Sequence, residues 1–248
     1  MTRSRPEILV LAFPLDPGPA ETGRLTALLS PEESARAGKF RHSDDSRRFR
    51  VRRGRAREAL GLLTDSDPGR LAFEVDAFGK PRLRDSNWRF SLSSSRELGL
   101  IALAESAEVG CDVEWRDPSF PFGDVAERFF SASERADLQA VGRAWRREGF
   151  FNGWTRKEAF AKARGLGFSL PFQNFDVSLR PDAPARLGAG CDGWTLLAFE
   201  PAPLYHAAVV GPAGAVFRVL EGLSGLRQRI RRATGLPLIS TTTSSVRA

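Results

Sequence analysis

The 248-residue sequence predicts an α+β fold, built from two successive blocks of helices and strands that divide near residue 106. Several predicted strands follow one another directly along the chain, which favours α+β over a doubly wound parallel sheet. The length suits one large domain or two small ones, and hydrophobic residues at 42% suffice for a packed core. We therefore predict blocks at residues 1–106 and 107–222, followed by a tail at 223–248.

The first block opens with an apolar run, Ile8 to Leu15, that predicts a strand. Ser30 stands before Pro31 and two glutamates, so a helix is expected to begin there with Ser30 as its N-cap. A longer helix fits residues 44–63, whose apolar side chains recur at helical spacing at Phe49, Ala56, Leu60 and Leu63. Further strands are predicted over 72–75, 88–92 and 99–104, with a turn at Phe78-Gly79-Lys80-Pro81.

The second block begins with a predicted strand, Gly110 to Glu114. Ser131 and Glu134 have the spacing of a capping box, and a long helix is expected over 143–164, ended by Gly165 and Gly167. Later strands are predicted over 175–179, 195–199, 206–210 and 215–219. The tail is basic and then rich in Ser and Thr, and residues 240–248 are expected to be disordered.

Composition narrows the classes of function. The formal net charge of +7 predicts an anionic partner, which nucleic acid, a phosphorylated ligand or an acidic protein would satisfy. Cys111 and Cys191 are too few for a disulfide framework or a zinc site, and His42 and His206 stand alone. No apolar run approaches the ~18 residues of a membrane helix, and the opening run has no small-residue cleavage site. We expect a cytoplasmic protein whose cysteines are buried thiols.

Positive charge is concentrated between Arg36 and Arg57. This stretch holds nine arginines and Lys39, opposed only by Asp44 and Asp45. Arg48, Arg52 and Arg55 fall on one helix stripe at i, i+4 and i+7. The density is typical either of an anion site or of an unusually basic surface, and the spacing alone leaves both open.

Two acidic segments are candidates for chemistry. Asp112 and Glu114 lie two apart in a predicted strand, so both carboxylates share one face. Such a pair is often merely exposed on the protein surface without a function. It also suits Mg²⁺, whose coordination shell a phosphate substrate would complete. Glu158 and Lys162 lie one turn apart on the predicted long helix and form either a surface ion pair or a working acid–base pair.

These segments, taken in order, resemble the surfactin-synthetase-activating (Sfp-type) 4′-phosphopantetheinyl transferases. The matching segments are Phe78 to Pro81, Phe90 to Ser95, Val109 to Glu114, Arg128 to Glu134, Trp154 to Lys162 and Gly165 to Pro171. Lys39 to Arg48 also resembles the family's basic N-terminal segment, so the likeness spans roughly residues 28–180. Each motif alone is common, whereas the ordered set is specific.

The resemblance implies two similar α/β subdomains, related by a pseudo-twofold, with the active site in the cleft between them. The metal and catalytic residues would belong to the C-terminal subdomain. It implies that Asp112, Glu114 and Glu158 hold Mg²⁺ and that Glu158 also takes the proton of a carrier-protein serine. Lys162 would stabilise or protonate the departing phosphate of 3′,5′-ADP. Charge neutralisation and positioning of this kind are what phosphoryl transfer requires.

The N-terminal subdomain would bind the co-substrate, coenzyme A. By the same resemblance, Lys80, Arg48 and a Ser93-Ser94 turn would hold its 3′-phosphate and adenine end. Residues 115–150 would face an acidic acyl- or peptidyl-carrier protein, and the enzyme would be a monomer with no nucleic-acid or membrane partner. The family has histidine where this chain has Ser94. A neutral donor there would bind the 3′-phosphate more weakly, by roughly 1 kcal/mol.

Two other functions are compatible with parts of the sequence. A nucleic-acid-binding protein would explain Arg36 to Arg57 but not the acidic residues. A degenerate family member that binds carrier protein or coenzyme A without transfer would explain Ser94 alone.

Overall fold

A computed structural model describes residues 5–234 and has a mixed α/β architecture. The strands are β1 (Glu7–Pro14), β2 (Phe73–Val75), β3 (Pro81–Leu83), β4 (Trp88–Ser95), β5 (Leu98–Glu105), β6 (Gly110–Trp115), β7 (Trp194–Phe199), β8 (Tyr205–Pro212) and β9 (Val216–Leu220). The α-helices are α1 (Pro19–Thr26), α2 (Pro31–Ala37), α3 (Ser43–Thr64), α4 (Phe122–Phe129), α5 (Ala132–Ala140), α6 (Arg146–Arg164) and α7 (Gly222–Thr234).

The strands form two main sheets and a small β2–β3 ribbon. The first sheet has the order β4-β5-β1-β9, in which β1 is antiparallel to β5 and parallel to β9. The second sheet has the order β6-β8-β7 and is antiparallel throughout. Because β9 pairs with β1, the last strand of the chain returns to the sheet formed by the first block. The division near residue 106 stays a prediction as a domain boundary.

The two sheets lie face to face between helices. Ile8 and Val10 of β1 pack with Cys111 and Val113 of β6 in the apolar layer between the sheets. The alternate residues of β1 pack against helices, α3 among them, in a second core that includes Leu9, Leu11, Phe13, Leu60 and Leu226. The outer face of the second sheet packs against α6 through Ala208, Val210 and Phe160. Strand β6 is thus buried on both sides, between the first sheet and α6.

Several local predictions are confirmed. Ser30 and Ser131 each form a complete capping box, with Glu33 and Glu134 returning the hydrogen bond to the N-cap backbone. Helix α6 ends at Gly165, which adopts the left-handed conformation at φ 69°. The strands expected at 8–15, 99–104, 110–114, 195–199, 206–210 and 215–219 are present with bounds shifted by a residue or two.

The strand predicted over 175–179 is wrong. Phe175, Val177 and Leu179 do bury alternate side chains, but only Val177 forms an isolated bridge, to Leu187. The amides of Asp176 and Ser178 donate to the carbonyls of Ala189 and Arg186, whereas other backbone groups of this segment bond to polar side chains. The Val177 amide donates to Glu134 at 2.8 Å, and the Phe175 carbonyl accepts from Lys157 at 2.6 Å. Alternation alone therefore predicted an extended segment correctly but not its hydrogen-bond partners.

Three helices were not predicted: α1, α4 and α7. Helix α1 contains Gly23 and buries only Leu25, so it has little apolar periodicity. Helix α7 occupies the first half of the segment that we described as a basic tail, where no helix was predicted, and its Leu226 is fully buried. The tail at 240–248 lies outside the described residues. No helix within residues 5–234 combines the length and the apolar character needed to cross a membrane.

Candidate active site

Serine side chains join β4 to β6 where the two sheets meet. Ser91, Ser93 and Ser95 alternate along β4 and therefore face the same way. The Ser91 and Ser95 hydroxyls each accept a hydrogen bond, 3.0 Å long, from a backbone amide of β6. Ser93 and Ser95 donate to the carboxylates of Asp112 and Glu114, at 2.7 and 2.8 Å. The predicted Ser93-Ser94 turn is therefore wrong, because these residues end a strand.

Asp112 and Glu114 lie on the face of β6 that is opposite Cys111 and Val113. Those two neighbours fill the layer between the sheets, so the carboxylates point away from it. Asp112 is only 3% exposed. A buried aspartate beside the half-buried Glu114 is energetically costly unless other groups compensate the two charges.

Helix α6 lies against β6 at very short range. A side chain at Gly110 would collide with the Ala159 carbonyl oxygen and the Ala163 backbone nitrogen, so only glycine permits this approach. Ala159 and Ala163 are buried here. Glu158 and Lys162, one turn apart, are thereby brought to the carboxylates of β6. The Lys162 ammonium donates to Asp112 at 2.6 Å and to Ser93 at 3.2 Å.

The carboxylates of this cluster influence one another. Burial, reinforced by the negative charge of Asp112, raises the pKa of Glu114 to about 7. Burial and the same charge raise the pKa of Glu158 to about 7 against the opposing effect of Lys162. Burial lowers the pKa of Lys162, but Asp112 and Glu158 outweigh it and the net pKa is raised. Glu158 therefore lies within electrostatic range of Asp112 and Lys162.

One oxygen of this cluster has no partner. Oδ1 of Asp112 accepts from Ser93 and Lys162, whereas the buried Oδ2 has no hydrogen-bond partner within residues 5–234. Across the same residues, no group of three or more histidine, cysteine, aspartate or glutamate side chains is arranged to hold a metal ion. Mg²⁺ does not need such a group, because it commonly binds one or two carboxylates together with water and substrate phosphates. The oxygen donors and the unbonded Oδ2 fit that mode of binding.

Comparison with known proteins identifies the family. The model of the 4′-phosphopantetheinyl transferase superfamily matches residues 108–209, which include β6 and α6. The 4′-phosphopantetheinyl transferase HetI of Nostoc sp. is 33% identical over 207 residues, covering 82% of this chain and 86% of that protein. The chain belongs to the 4′-phosphopantetheinyl transferase superfamily. It is therefore an enzyme of this class, as the sequence predicted.

Two further relatives show how widely the similarity extends. The 4′-phosphopantetheinyl transferase Sfp of Bacillus subtilis is 30% identical over 168 residues, covering 67% of this chain and 74% of that protein. The L-aminoadipate-semialdehyde dehydrogenase-phosphopantetheinyl transferase of Homo sapiens is 26% identical over 167 residues, covering 62% of this chain and 53% of that protein.

The remaining predicted residues of this phosphopantetheinyl transferase lie outside the carboxylate cluster. The Lys80 ammonium is buried and donates to Glu108 at 2.8 Å, to the Val109 carbonyl at 3.1 Å and to the Ala163 carbonyl at 3.4 Å. It therefore links the turn before β3 to the start of β6 and the end of α6. Arg48 forms an ion pair with Asp16 at 2.6 Å.

Ser94 points away from its two serine neighbours and accepts a hydrogen bond from Arg52 at 2.7 Å. The roles of Ser91 and Ser95 were missed from the sequence. Period-two alternation from Ser93 would have identified both, because it places residues 91, 93 and 95 on one face of a strand. No such signal was available for the contact of Arg52, because Arg52 and Ser94 are 42 residues apart in the sequence.

Proposed function

We propose that this enzyme transfers the 4′-phosphopantetheine arm of coenzyme A to a serine of an apo acyl- or peptidyl-carrier protein and releases 3′,5′-ADP. The observation that supports it most is the cluster in which α6 presents Glu158 and Lys162 to Asp112 and Glu114. A lysine among carboxylates, at the place where the two sheets meet, suits a substrate that carries phosphates. The family to which the chain belongs supports the same chemistry.

The reaction needs a base and a partner for the leaving group. The hydroxyl oxygen of the carrier serine attacks the phosphorus that bears the pantetheine arm, and the bond from that phosphorus to the oxygen of 3′,5′-ADP breaks. Glu158 takes the proton of the serine hydroxyl. Lys162 offsets the negative charge that develops on the departing phosphate, and this interaction counts most in the transition state. Asp112 orients Lys162 through their hydrogen bond.

We further propose that Asp112, Glu114 and Glu158 hold Mg²⁺. The unbonded Oδ2 of Asp112 supports this assignment. Bound there, Mg²⁺ would supply a Lewis acid that neutralises charge on the pyrophosphate of coenzyme A. Ser93 and Ser95 orient two of these carboxylates through their hydroxyl groups.

The adenine end of coenzyme A would bind at the other side of β4. Arg48 and Ser94 are proposed contacts for its 3′-phosphate, and Ser93 connects this end to the carboxylate cluster. Lys80 is proposed to support the site by holding β6 against α6, because its ammonium already has three oxygen partners. In this arrangement the division near residue 106 separates two similar subdomains related by a pseudo-twofold, with the reaction in the cleft between them, and β9 belongs by its pairing with β1 to the first of them.

The carrier protein is proposed to dock on residues 115–150. A groove there is lined by basic side chains and by Trp145, which is 55% exposed. The basic residues of the groove are Arg116, Arg143, Arg146 and Arg147. An acidic carrier protein would complement them and associate faster for that reason. We propose that the enzyme does this as a monomer in the cytoplasm, where Cys111 and Cys191 remain the free, buried thiols seen here.

Mass spectrometry of an apo-carrier protein tests the proposal. Incubation with the full chain, coenzyme A and Mg²⁺ should add the mass of one phosphopantetheine arm, and a carrier whose acceptor serine is alanine should gain nothing. A degenerate member would bind coenzyme A or the carrier without adding mass. A nucleic-acid-binding protein would do neither and would bind an oligonucleotide in a salt-dependent manner.

A further inference from the structure

The arginines of α3 differ in whether a carboxylate neutralises them. Five of the seven on this helix form ion pairs, namely Arg47 and Arg48 with Asp16, Arg53 and Arg57 with Glu33, and Arg55 with Glu21 and Glu58. Arg50 and Arg52 form none with any residue of 5–234. Five of the ten basic residues between Arg36 and Arg57 are thus compensated by carboxylates, and on α3 itself these two arginines remain.

Arg52 is held in place, whereas Arg50 has no such contact among the described residues. Nη1 of Arg52 donates to the Ser94 hydroxyl at 2.7 Å, and its Nε is buried without a hydrogen-bond partner in the described part of the chain. The guanidinium lies 5.9 Å from the centroid of the Phe49 ring, and that of Arg36 lies 5.5 Å from the same centroid. Two guanidinium groups thus share one aromatic ring.

A half-buried cation without an acid is unfavourable by itself. Burial lowers the pKa of Arg52, and the positive charges of Arg53 and Arg36 lower it further. Buried charges in proteins are normally paired, so this group is a candidate for pairing with a ligand. Its unused N–H groups are arranged as a planar fork that suits a phosphate. Ser94 accepts from Arg52, which leaves its own hydroxyl proton available for the same anion.

We propose that Arg52, together with Ser94, binds a phosphate monoester, and that this site selects the 3′-phosphate of coenzyme A. The second half of this inference rests on the proposed function. Ser94 directly follows Ser93, the residue that holds Asp112, so the two sites are adjacent but lie on opposite faces of β4. The positive charge comes from α3 instead of from a histidine on β4. Ser94 therefore does not weaken coenzyme A binding in the way that the sequence alone predicts.

Nucleotide binding tests the site without requiring transfer. Isothermal titration of the full chain should show that adenosine 3′,5′-bisphosphate binds more tightly than adenosine 5′-monophosphate. Arg52→Gln should weaken the bisphosphate at least about tenfold, the scale of one hydrogen bond to a charged group, and leave the monophosphate unchanged. Arg50→Gln removes the same charge from the same helix and should change neither. Equal weakening of both nucleotides by Arg52→Gln, or none, would overturn the proposal.

Kinetics then distinguish the phosphate group. Arg52→Gln should raise KM for coenzyme A about tenfold but leave KM for 3′-dephospho-coenzyme A, which keeps the pyrophosphate, unchanged. Ser94→His should give no gain, because the imidazole displaces the Arg52 contact. If Ser94→His instead tightens coenzyme A binding while Arg52→Gln has no effect, Arg52 does not supply the charge. If the wild type binds the bisphosphate selectively but transfers nothing, the site stands and the proposed function fails.

Discussion

Helix α6 carries two lysine–carboxylate pairs that are only five residues apart but differ in completeness. The Lys157 ammonium is fully buried and has three oxygen partners, Glu134 at 2.8 Å and the carbonyls of Phe172 and Phe175 at 2.7 and 2.6 Å. Glu134 in turn accepts from the backbone amides of Ser131 and Val177. Every strong donor and acceptor of this pair is used within the protein.

The second pair, Lys162 and Asp112, is incomplete. The Lys162 side chain is 30% exposed, and Oδ2 of Asp112 has no partner within residues 5–234. Glu114 and Glu158 add further negative charge around it. A buried ion pair whose donors and acceptors all have partners stabilises the fold and has no free group with which to bind a ligand. A pair with an unused oxygen and an accessible cation can bind one, at the expense of its own stability.

The largest effect should come from the complete pair. Glu134→Gln removes one charge and leaves Lys157 buried and unpaired, which should lower the free energy of unfolding by about 3–5 kcal/mol. Urea denaturation measures it. The double variant Glu134→Gln/Lys157→Met should recover part of this loss because it removes the unpaired charge. If the Glu134→Gln protein were as stable as the wild type, the Lys157–Glu134 pair would not stabilise the fold in the way described.

The matched change in the incomplete pair should act on activity instead. Asp112→Asn keeps the shape and the Ser93 contact but removes a charge that Glu114 and Glu158 repel. The midpoint of thermal unfolding should therefore stay the same or rise slightly. Transfer should fall at least ~100-fold, the scale of a lost electrostatic contact in a transition state. If the variant had a lower midpoint of thermal unfolding but normal transfer activity per folded molecule, Asp112 would contribute to stability and not to activity.

The sequence predicted the incomplete pair better than the complete one. Glu158 and Lys162 lie on one helix face, and Asp112 and Glu114 on one strand face, so local periodicity located both halves. The contact between the halves depends on Gly110, whose missing side chain no periodic pattern reveals. Lys157 contacts Glu134 and residues 172–175 across sequence separations that no local pattern reveals, and the predicted strand at 175–179 is irregular. Lys80 was predicted to contact the 3′-phosphate end of coenzyme A. Its hydrogen bonds to Val109 and Ala163 could be recognised only in the tertiary structure.

Glu158 lies one helical turn beyond Trp154 and on the Lys162 side of α6. Substituting it therefore also tests the comparison between the Lys157–Glu134 pair and the Lys162–Asp112 pair. Glu158→Gln retains the shape of the side chain but can neither take a proton nor hold a metal ion. We expect kcat to fall by about 100-fold, the usual contribution of a general base, with little change in the unfolding midpoint. Single-turnover measurement with saturating coenzyme A separates chemistry from product release. A drop confined to KM would show that Glu158 binds substrate and does not take the proton.

The smallest effect on activity is expected at Lys162, which lies on the same helix as Lys157. Lys162→Met keeps the aliphatic stem but removes the cation beside the buried Asp112, which should lower the free energy of unfolding by about 1–3 kcal/mol. The loss should be smaller than for Lys157→Met, because the Lys162 side chain is partly exposed. Asp112 keeps the Ser93 bond but loses its cation. In the proposed mechanism the ammonium interacts most strongly with the charge that develops on the leaving phosphate, so kcat should fall about tenfold while KM for coenzyme A changes little. Lys157→Met is the matched control: it should lower stability strongly and leave kcat per folded molecule unchanged. If both variants lost stability equally and neither lost kcat, the two pairs would play the same structural role, and the unused oxygen of Asp112 would have no bearing on catalysis.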